Sequence, residues 1–484
     1  MIVGDDDQSI YGWRGAQIEN LHRFLKDFPG AETVRLEQNY RSTGNILKAS
    51  NDLIANNPDR LGKKLWTEDK DGEPISVYCA FNEMDEAKFI VGRINDWQEK
   101  GGTLSDCAIL YRSNAQSRVL EEALLHRGVA YRIYGGLRFF DRQEIKDAMG
   151  YMRLINNKDD DAAFERVVNT PTRGIGDRTL EIMRSTARQQ QLTLWQASLR
   201  LLEEKVLAGR AANAVRGFMD LVINMRTDTA DMLLYRMTDT VINQSGLRTM
   251  YEAEKGEKAQ ARIENLNELV TAAKSFEMPE ELEDMGELNA FLSHAALEAG
   301  EGQADAFTDA VQLMTLHSAK GLEFPMVFMS GVEEGLFPSK MALDEGDRLD
   351  EERRLCYVGM TRAMKKLYIS YAESRRIYGR EDYARPSRFI NEIPEQYVEQ
   401  IRLRAQVSPS ISQRFPARGV STGFSQSPAN TTGFSVGQKV KHFKFSEGVV
   451  TSFEGTGEKA RVQVNFRDFG SKWLLVSLAK LEAC

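Results

Sequence analysis

Short apolar runs alternate with amphipathic stretches early in the chain. The runs ISVYCAF, CAILYRS and AYRIYGG, at 75–81, 107–113 and 130–136, are rich in the β-branched and aromatic residues typical of buried strands. Apolar residues at helical spacing fill the stretches between them, at 84–100 and 115–128. This alternation predicts βα units on a parallel sheet.

The strand pattern stops at Phe139, and from there to Ala306 the sequence is helical and rich in charge, with no convincing strand. Buried-strand runs resume with VQLMTLH at 311–317, MVFMSGV at 326–332 and LYISYAE at 367–373. The simplest interpretation is an α/β fold in which one parallel-sheet domain is interrupted by a large helical insertion.

A second change in composition occurs near Gln406. Residues 407–435 are rich in Ser, Pro, Gly and Thr, which predicts a disordered linker. Beyond it, the short alternating runs VKHFKF, GVVTSFEG, ARVQVNF and SKWLLVSL are separated by turns. They predict a small antiparallel β-barrel at 436–482.

Charge and cysteine content narrow the function classes. The formal net charge is −8, so any nucleic-acid binding must use a local basic track rather than bulk charge. The four cysteines form no C-x-x-C pair, which argues against a zinc site or a disulfide framework. No apolar run approaches the ~18 residues that a membrane span needs. We therefore expect a cytoplasmic protein with no membrane partner.

The opening stretch MIVGDDDQSIYGWRGA carries the first candidate chemistry. Its apolar start predicts a buried strand that ends at a polar loop. Gln8 is suited to orient water or touch a terminal phosphate, Tyr11 and Trp13 to stack on bases, and Arg14 to meet a backbone phosphate. The alternative is a surface acidic turn followed by two core aromatics, and the residues alone leave both interpretations open.

The stretch QNYRST places an aromatic ring beside an arginine. Tyr40 can stack on a purine, and Arg41 can bind phosphate through its planar fork. The alternative is a helix N-terminus capped by Ser42 or Thr43.

Two later stretches carry further polar groups. In VQLMTLHSAKGLEF, a strand leads into a polar loop, and Glu323 is placed to bind a sugar hydroxyl; His317 alone is more typical of a packing residue. In EERRLCYVGMTRAMKKLYISYAE, a helix delivers Arg362 just before a strand. Such an arginine can neutralise charge on a transferring phosphoryl group, and the alternative is a solvated helix arginine.

In this order and spacing, GDDDQSIYGWRGA, QNYRST, TLHSAKGLEF and YVGMTRA closely resemble motifs III, IV, V and VI of the UvrD/Rep/PcrA group of superfamily 1 DNA helicases. The resemblance spans nearly the whole chain. It implies an ATP-dependent 3′→5′ DNA helicase of DNA repair, associated with the nucleoid, that acts on single-stranded DNA and on junctions of single- and double-stranded DNA.

The resemblance assigns roles to individual residues. It implies γ-phosphate contacts from Gln8, Arg41 and Arg362, adenine stacking by Tyr40 and ribose binding by Glu323. The residues that it implies touch single-stranded DNA are Tyr11, Trp13, Arg14, Arg112, Asn114 and His317.

The resemblance also divides the chain into subdomains: 1–37 a remnant of the first RecA-like domain (1A), 38–136 and 308–404 the second (2A), 137–307 the helical insertion (2B), 405–435 a disordered linker, and 436–484 a Tudor-like barrel. In 2B, Gly174 and Gly176 would approach a duplex phosphate, although chemistry alone favours an ordinary interhelical turn. Tyr378 would form the pin that splits the duplex. The barrel would bind repair or transcription proteins, or DNA.

A nucleotide motor needs the loop G-x-x-x-x-G-K-[ST] and a Walker B acid that holds Mg²⁺. The sequence contains neither, because Gly62-Lys63-Lys64 fails at its third position and Asp5 to Asp7 belong to motif III. We therefore expect ATP and Mg²⁺ to serve the intact helicase, no metal site within this chain, and a start downstream of the P-loop. Two functions remain: the inactive C-terminal portion of a helicase, or a non-catalytic DNA- or protein-binding remnant.

Overall fold

Seven parallel strands form the central sheet of the larger of two units, residues 1–405 and 406–484. A computed structural model describes residues 2–12, 15–58, 60–207, 209–278, 285–300, 308–344, 346–377, 380–401, 438–442, 446–454, 461–466, 470–475 and 482–483. The predicted linker, Trp13, Arg14 and Tyr378 lie outside these residues.

The strand order in the sheet is β3-β4-β2-β5-β6-β1-β9, and every neighbouring pair is parallel. Parallel strands are buried on both faces, so their sequences are almost continuously apolar. The predicted fold class, an α/β parallel sheet with a large helical region, is confirmed. The strands are β1 (Ile75–Ala80), β2 (Cys107–Tyr111), β3 (Tyr131–Ile133), β4 (Val311–Thr315), β5 (Phe324–Met329), β6 (Ala363–Ala372) and β9 (Val398–Gln400).

The helices follow the 3.6-residue apolar period of their sequences. Asn82, for example, caps α3 by accepting a hydrogen bond from the Asp85 N–H, which satisfies an amide that the helix itself leaves unpaired. The helices are α1 (Glu19–Asp27), α2 (Gly44–Ile54), α3 (Glu83–Glu99), α4 (Ser117–His126), α5 (Gln143–Asn156), α6 (Asp161–Val167), α7 (Asp177–Gln190), α8 (Leu194–Glu203), α9 (Gly209–Thr229), α10 (Leu234–Gln244), α11 (Leu247–Ala253), α12 (Glu257–Ser275), α13 (Glu287–Gly300), α14 (Lys340–Asp344), α15 (Gly346–Met360) and α16 (Arg388–Asn391).

Two apolar cores cover the two faces of the sheet. On β2, Ile109 packs with α3 and α4, whereas Ala108 and Leu110 pack with α2 and α15. The helices α5 to α13 have a third core of their own, in which Phe164 meets Trp195 and Phe218 edge to face. Within 139–300 the described residues form helices and turns and no strand, as the sequence predicted.

A short antiparallel hairpin, β7 (Ser374–Ile377) and β8 (Arg380–Tyr383), follows β6. The resemblance implied a hairpin at this position with Tyr378 at its tip, and Tyr378 itself lies outside the described residues. Buried Arg375 anchors the hairpin: its Nη2 lies 2.6 Å from Glu86 Oε2 and 2.6 Å from Glu333 Oε1. Both carboxylates also accept hydrogen bonds from the sheet, from the Ser370 hydroxyl and from backbone amides. The guanidinium of Arg375 therefore ties the hairpin to two carboxylates of the sheet.

The smaller unit is an antiparallel sheet of short strands, in the order β13-β12-β11-β10-β14. The positions of its strands agree with the alternating runs in the sequence. They are β10 (Lys439–His442), β11 (Ser446–Glu454), β12 (Arg461–Phe466), β13 (Gly470–Leu475) and β14 (Glu482–Ala483). Among all the described residues, none of the helices is long and apolar enough to cross a bilayer.

The predicted strand at the start of the chain is wrong. Residues 2–4 form no strand, and the side chain of Val3 is 86% exposed. An apolar run becomes a strand only when a neighbour accepts its hydrogen bonds, and no described strand pairs with this one. The acids that follow are held firmly, because Arg60 binds Asp7 through two 2.7 Å hydrogen bonds.

Candidate functional site

Arg362 lies between the end of α15 and the start of β6, and its side chain is only 2% exposed. Nε donates to the Val358 carbonyl at 2.9 Å, Nη1 to the Leu322 carbonyl at 3.0 Å, and Nη2 to the Thr361 hydroxyl at 3.1 Å. The solvated-arginine alternative does not fit this burial. None of the described carboxylates lies within 4 Å of the guanidinium, so its hydrogen bonds go to two carbonyls and a hydroxyl.

Arg41 and Glu323 complete a cluster with Arg362 at the amino ends of β5 and β6. Arg41 Nε lies 2.5 Å from Glu323 Oε2, and the Arg41 Nη1 donates to the Thr361 carbonyl at 3.5 Å. The Ser42 hydroxyl donates to the Ala363 carbonyl at 2.6 Å, which fixes the QNYRST stretch beside β6. Neither hydroxyl of the alternative interpretation caps α2, since Thr43 precedes the helix without a side-chain cap bond.

The cluster is electropositive. Burial, with the nearby charge of Arg41, lowers the pKa of Arg362 to about 10, so Arg362 still carries its charge at neutral pH. A buried charge is costly unless a counter-charge approaches it. The half-exposed carboxylate of Glu323 is paired with Arg41 and not with Arg362. Two arginines against one carboxylate suit the binding of an anion such as phosphate. Tyr40 is 80% exposed beside them, and its hydroxyl donates to Gln38 Oε1 at 2.8 Å.

Residues 8–12 pack against the loop that follows β4 and against α15. The Lys320 ammonium donates to the Gln8 carbonyl at 2.8 Å and lies 5.2 Å from the centre of the Tyr11 ring. The Tyr11 hydroxyl donates to the His317 carbonyl at 3.4 Å. The segment also binds α15, because Arg354 Nε donates to the Ser9 carbonyl at 2.8 Å and the Gly12 N–H donates to Glu351 Oε1 at 2.9 Å.

The acids Asp5, Asp6 and Asp7 bring their carboxylate oxygens within 4.8 Å of one another. These oxygens already have partners, since Arg60 binds Asp7, Lys63 binds Asp5 and the Leu61 N–H donates to Asp6 at 2.7 Å. A Mg²⁺ site needs carboxylates that face water and the nucleotide. The trio does not fit such a site and acts as an ion-paired anchor.

Among the residues implied for single-stranded DNA, Arg112, Asn114 and His317 lie at the opposite, carboxyl ends of the strands. Arg112 and Asn114 follow β2, His317 follows β4, and these strands pair directly through Tyr111 and Thr315. Arg112 is bound through two of its nitrogens by Glu352, at 2.9 Å from Nε and 2.7 Å from Nη2. Asn114 accepts a hydrogen bond on its carbonyl from Arg142 at 2.9 Å.

The two glycines of TPTRGIGDRTL belong to the helical part and not to either edge of the sheet. Gly174 has a φ of +80°, which favours glycine. Gly176 precedes the first turn of α7, whose first amides have no partner within the helix. This arrangement leaves both the phosphate contact and the ordinary turn open.

The sequence did not indicate which distant residues pair with the charged residues of the site. Glu352 binds Arg112 across 240 residues, and Arg60 binds Asp7 across 53. The run of charges at 351–354 is a weak signal of such partners, because a charged stretch on a helix that faces a sheet must find counter-charges. No spacing rule would have selected Arg60.

Comparison with models of known protein families identifies the family of this chain. The model of the UvrD-like helicase C-terminal domain matches residues 34–374, well over half of the chain. The chain belongs to the UvrD-like helicase family. Further matches are the UvrD/REP helicase N-terminal domain at residues 1–29 and the PcrA/UvrD tudor domain at residues 436–482.

Curated relatives agree with this placement in the UvrD-like helicase family. The chain is 66% identical to the DNA helicase II of Escherichia coli over 484 residues and to that of Salmonella typhimurium over 482. It is 42% identical to the ATP-dependent DNA helicase PcrA of Bacillus subtilis, over 99% of the chain. In each case it spans 66% of the relative's own length.

Proposed function

We propose that this chain supplies the second RecA-like half, the helical insertion and the Tudor-like domain of an ATP-dependent 3′→5′ DNA helicase of DNA repair in the cytoplasm. The observation that carries the proposal is the convergence of Arg41, Glu323 and Arg362, from three distant stretches, on one electropositive edge of the sheet. The names of the relatives, DNA helicase II and ATP-dependent DNA helicase PcrA, support the same activity.

On the nucleotide side, Arg362 and Arg41 would bind the γ-phosphate, and Gln8 would complete this contact. Bound ATP supplies the phosphoryl group whose transfer drives the motor. Arg362 is preorganised by three hydrogen bonds, so its charge needs no reorganisation as negative charge shifts on the phosphoryl oxygens. The exposed Tyr40 ring would stack on adenine, and Glu323 would accept a ribose hydroxyl.

On the DNA side, the carboxyl edge would bind single-stranded DNA through Tyr11, Arg112, Asn114 and His317, together with Trp13 and Arg14. Such binding usually combines stacking of bases on aromatic rings with contacts between backbone phosphates and cationic side chains. Gly174 and Gly176 would approach the duplex at a junction, and Tyr378 would separate its strands.

The proposed subdomains are those of the sequence prediction: 1–37, 38–136 with 308–404, 137–307, 405–435 and 436–484. The separate core of α5 to α13 supports an insertion that folds as its own body. The match of residues 436–482 to the PcrA/UvrD tudor domain supports a role in binding partner proteins, of which repair or transcription proteins are the proposed class.

The test uses a fusion in which the N-terminal helicase domain of the E. coli relative precedes residue 1. The fusion should hydrolyse ATP in response to single-stranded DNA and unwind a 3′-tailed duplex in the presence of Mg²⁺. Arg362→Ala should lower the stimulated ATPase rate by about a thousandfold or more, with little change in DNA affinity. Arg362→Lys should not restore it, because an ammonium lacks the planar fork.

Arg93→Ala is the matched control, since Arg93 is exposed on α3 and its contacts among the described residues are with the neighbouring Asp96 and Phe89. It should leave ATPase activity unchanged. A loss below about tenfold in Arg362→Ala would overturn the role of Arg362, and a fusion that never responds to DNA would overturn the proposed helicase.

A further inference from the structure

Tyr134 is an exposed aromatic residue at the carboxyl edge of the sheet that none of the helicase motifs contains. It follows β3 directly, and its N–H donates to the Leu313 carbonyl of β4 at 2.8 Å, so the sheet fixes its backbone. Tyr131 and Ile133 point into the core, whereas Tyr134 is 47% exposed. Its side chain makes no hydrogen bond or ring contact with another described residue.

The turn after Tyr134 lies against the loop that carries His317. Gly135 has a φ of +72°, and a methyl group at Gly135 would lie 3.6 Å from the Ser318 hydroxyl. Ser318 is itself fixed, because its hydroxyl lies 2.9 Å from the Thr315 hydroxyl. The backbone of Tyr134 is thus held one residue from a loop that the proposed DNA path already crosses.

Aromatic and polar groups then form a row along three neighbouring strands. β4 pairs with β3 on one side and with β2 on the other. The row runs from Asn114 after β2, through His317 after β4, to Tyr134 after β3. The Tyr11 ring lies beside it, with its centroid 6.4 Å from that of His317, and Lys320 supplies a positive charge above Tyr11.

We propose that Tyr134 is a base-stacking residue that extends the single-stranded DNA path from His317 to the carboxyl end of β3. The inference rests on the proposed function. Every nucleobase has a π-face, so a fixed and exposed ring binds any sequence. A tyrosine also loses little conformational entropy on binding, because it has only two χ angles.

The experiment measures binding of the 484-residue chain to a fluorescently labelled oligothymidylate by anisotropy, over a series of salt concentrations. Tyr134→Ala should weaken binding about 5- to 150-fold, the range that corresponds to ~1–3 kcal/mol per stacked base. Tyr134→Phe should bind within twofold of the unaltered chain, because stacking needs the ring and not the hydroxyl. Tyr134→Leu, which keeps apolar surface without a π-face, should lose most of the affinity.

The salt dependence separates stacking from a charge effect. The slope of log affinity against log salt should be the same for Tyr134→Ala and the unaltered chain, since no phosphate contact is removed. Tyr383→Ala is the matched control, because Tyr383 on β8 is 88% exposed and lies outside the row. It should change neither the affinity nor the slope.

The outcomes are distinguishable. If the unaltered chain binds DNA and Tyr134→Ala binds equally well, this inference is overturned and the proposed function stands. A lowered urea midpoint in Tyr134→Ala, or failure of Tyr134→Phe to bind, overturns the stacking role in favour of a structural one. If the unaltered chain binds no DNA, the proposed DNA edge is overturned and this inference with it.

Discussion

Arg362 carries a charge in a position that normally excludes one. Backbone carbonyls and a hydroxyl hold its guanidinium, and its pKa, although lowered to about 10, stays above neutral. The sequence could predict that this arginine stands between a helix and a strand, because the apolar period changes there. It could not predict the burial, which depends on Leu322, 40 residues away in the chain.

A second titratable residue gives a pH test in the helical part. His294 on α13 lies 3.1 Å from Glu298 Oε1, and this hydrogen bond raises the pKa of His294 above its ordinary value of 6.5; Glu122 adds to the increase, while burial and Arg118 oppose it. A histidine whose pKa is higher in the folded than in the unfolded state stabilises the fold at pH values below its unfolded-state pKa. This stabilisation is lost as the pH rises through the folded-state pKa. His294→Gln should therefore destabilise the chain at pH 5.5 and have little effect at pH 8.5, as measured by urea unfolding.

His126→Gln is the control for that experiment, because His126 is exposed at the end of α4. It should show the same small effect at both pH values. A His294→Gln variant whose loss of stability were larger at pH 8.5 would contradict the assignment.

At the scale of elements, the ion cluster around Arg375 holds the β7–β8 hairpin against the sheet. Arg375→Ala would leave Glu86 and Glu333 buried without their counter-charge. Removal of one partner from a buried pair typically costs about 3–5 kcal/mol. We expect a decrease of about 3 kcal/mol or more in the free energy of unfolding, measured by urea titration.

The adjacent Arg376 is the matched control. It is exposed and donates to the Ser275 hydroxyl at 3.0 Å, so Arg376→Ala should cost no more than about 1 kcal/mol. Equal effects of the two substitutions would show that the Arg375 cluster does not anchor the hairpin.

Elements with a strong apolar period were predictable, and elements held by distant contacts were not. The runs at 75–81 and 107–113 became β1 and β2 almost exactly where expected, because buried parallel strands need continuous apolar residues. The polar strands β7, β8 and β9 carry no such signal. The opening run is apolar and still forms no strand, since none of the described strands pairs with it.

The candidate site, too, could be predicted only in part from the sequence. The sequence indicated that Glu323 follows a polar loop and that Arg362 stands just before a strand, as the structure has them. Their meeting with Arg41 depends on the strand order, which the sequence does not give. The pairing of Arg112 with Glu352 could not be read from the sequence, because α15 approaches β2 only in the folded sheet.

At the scale of the whole molecule, the 484 residues contain no G-x-x-x-x-G-K-[ST] sequence. The backbone amides and lysine of that loop position and neutralise the phosphates. We expect this chain alone to hydrolyse no ATP above background with single-stranded DNA and Mg²⁺, in a coupled-enzyme assay. Turnover that follows the chain through two purification columns, and that Arg362→Ala abolishes, would contradict this.

Helix α15 touches both edges of the sheet. Residues in its middle bind Ser9, Gly12 and Arg112, and just after its end stands Arg362. At 1.5 Å per residue, its 15 residues make a rod about 22 Å long, stiff along its axis. An axial displacement imposed at the middle of the helix therefore reaches its end nearly undiminished, and ~1 Å of misplacement is enough to change a catalytic rate about a hundredfold. The sheet between the two edges need not deform for mechanical work to pass from one to the other.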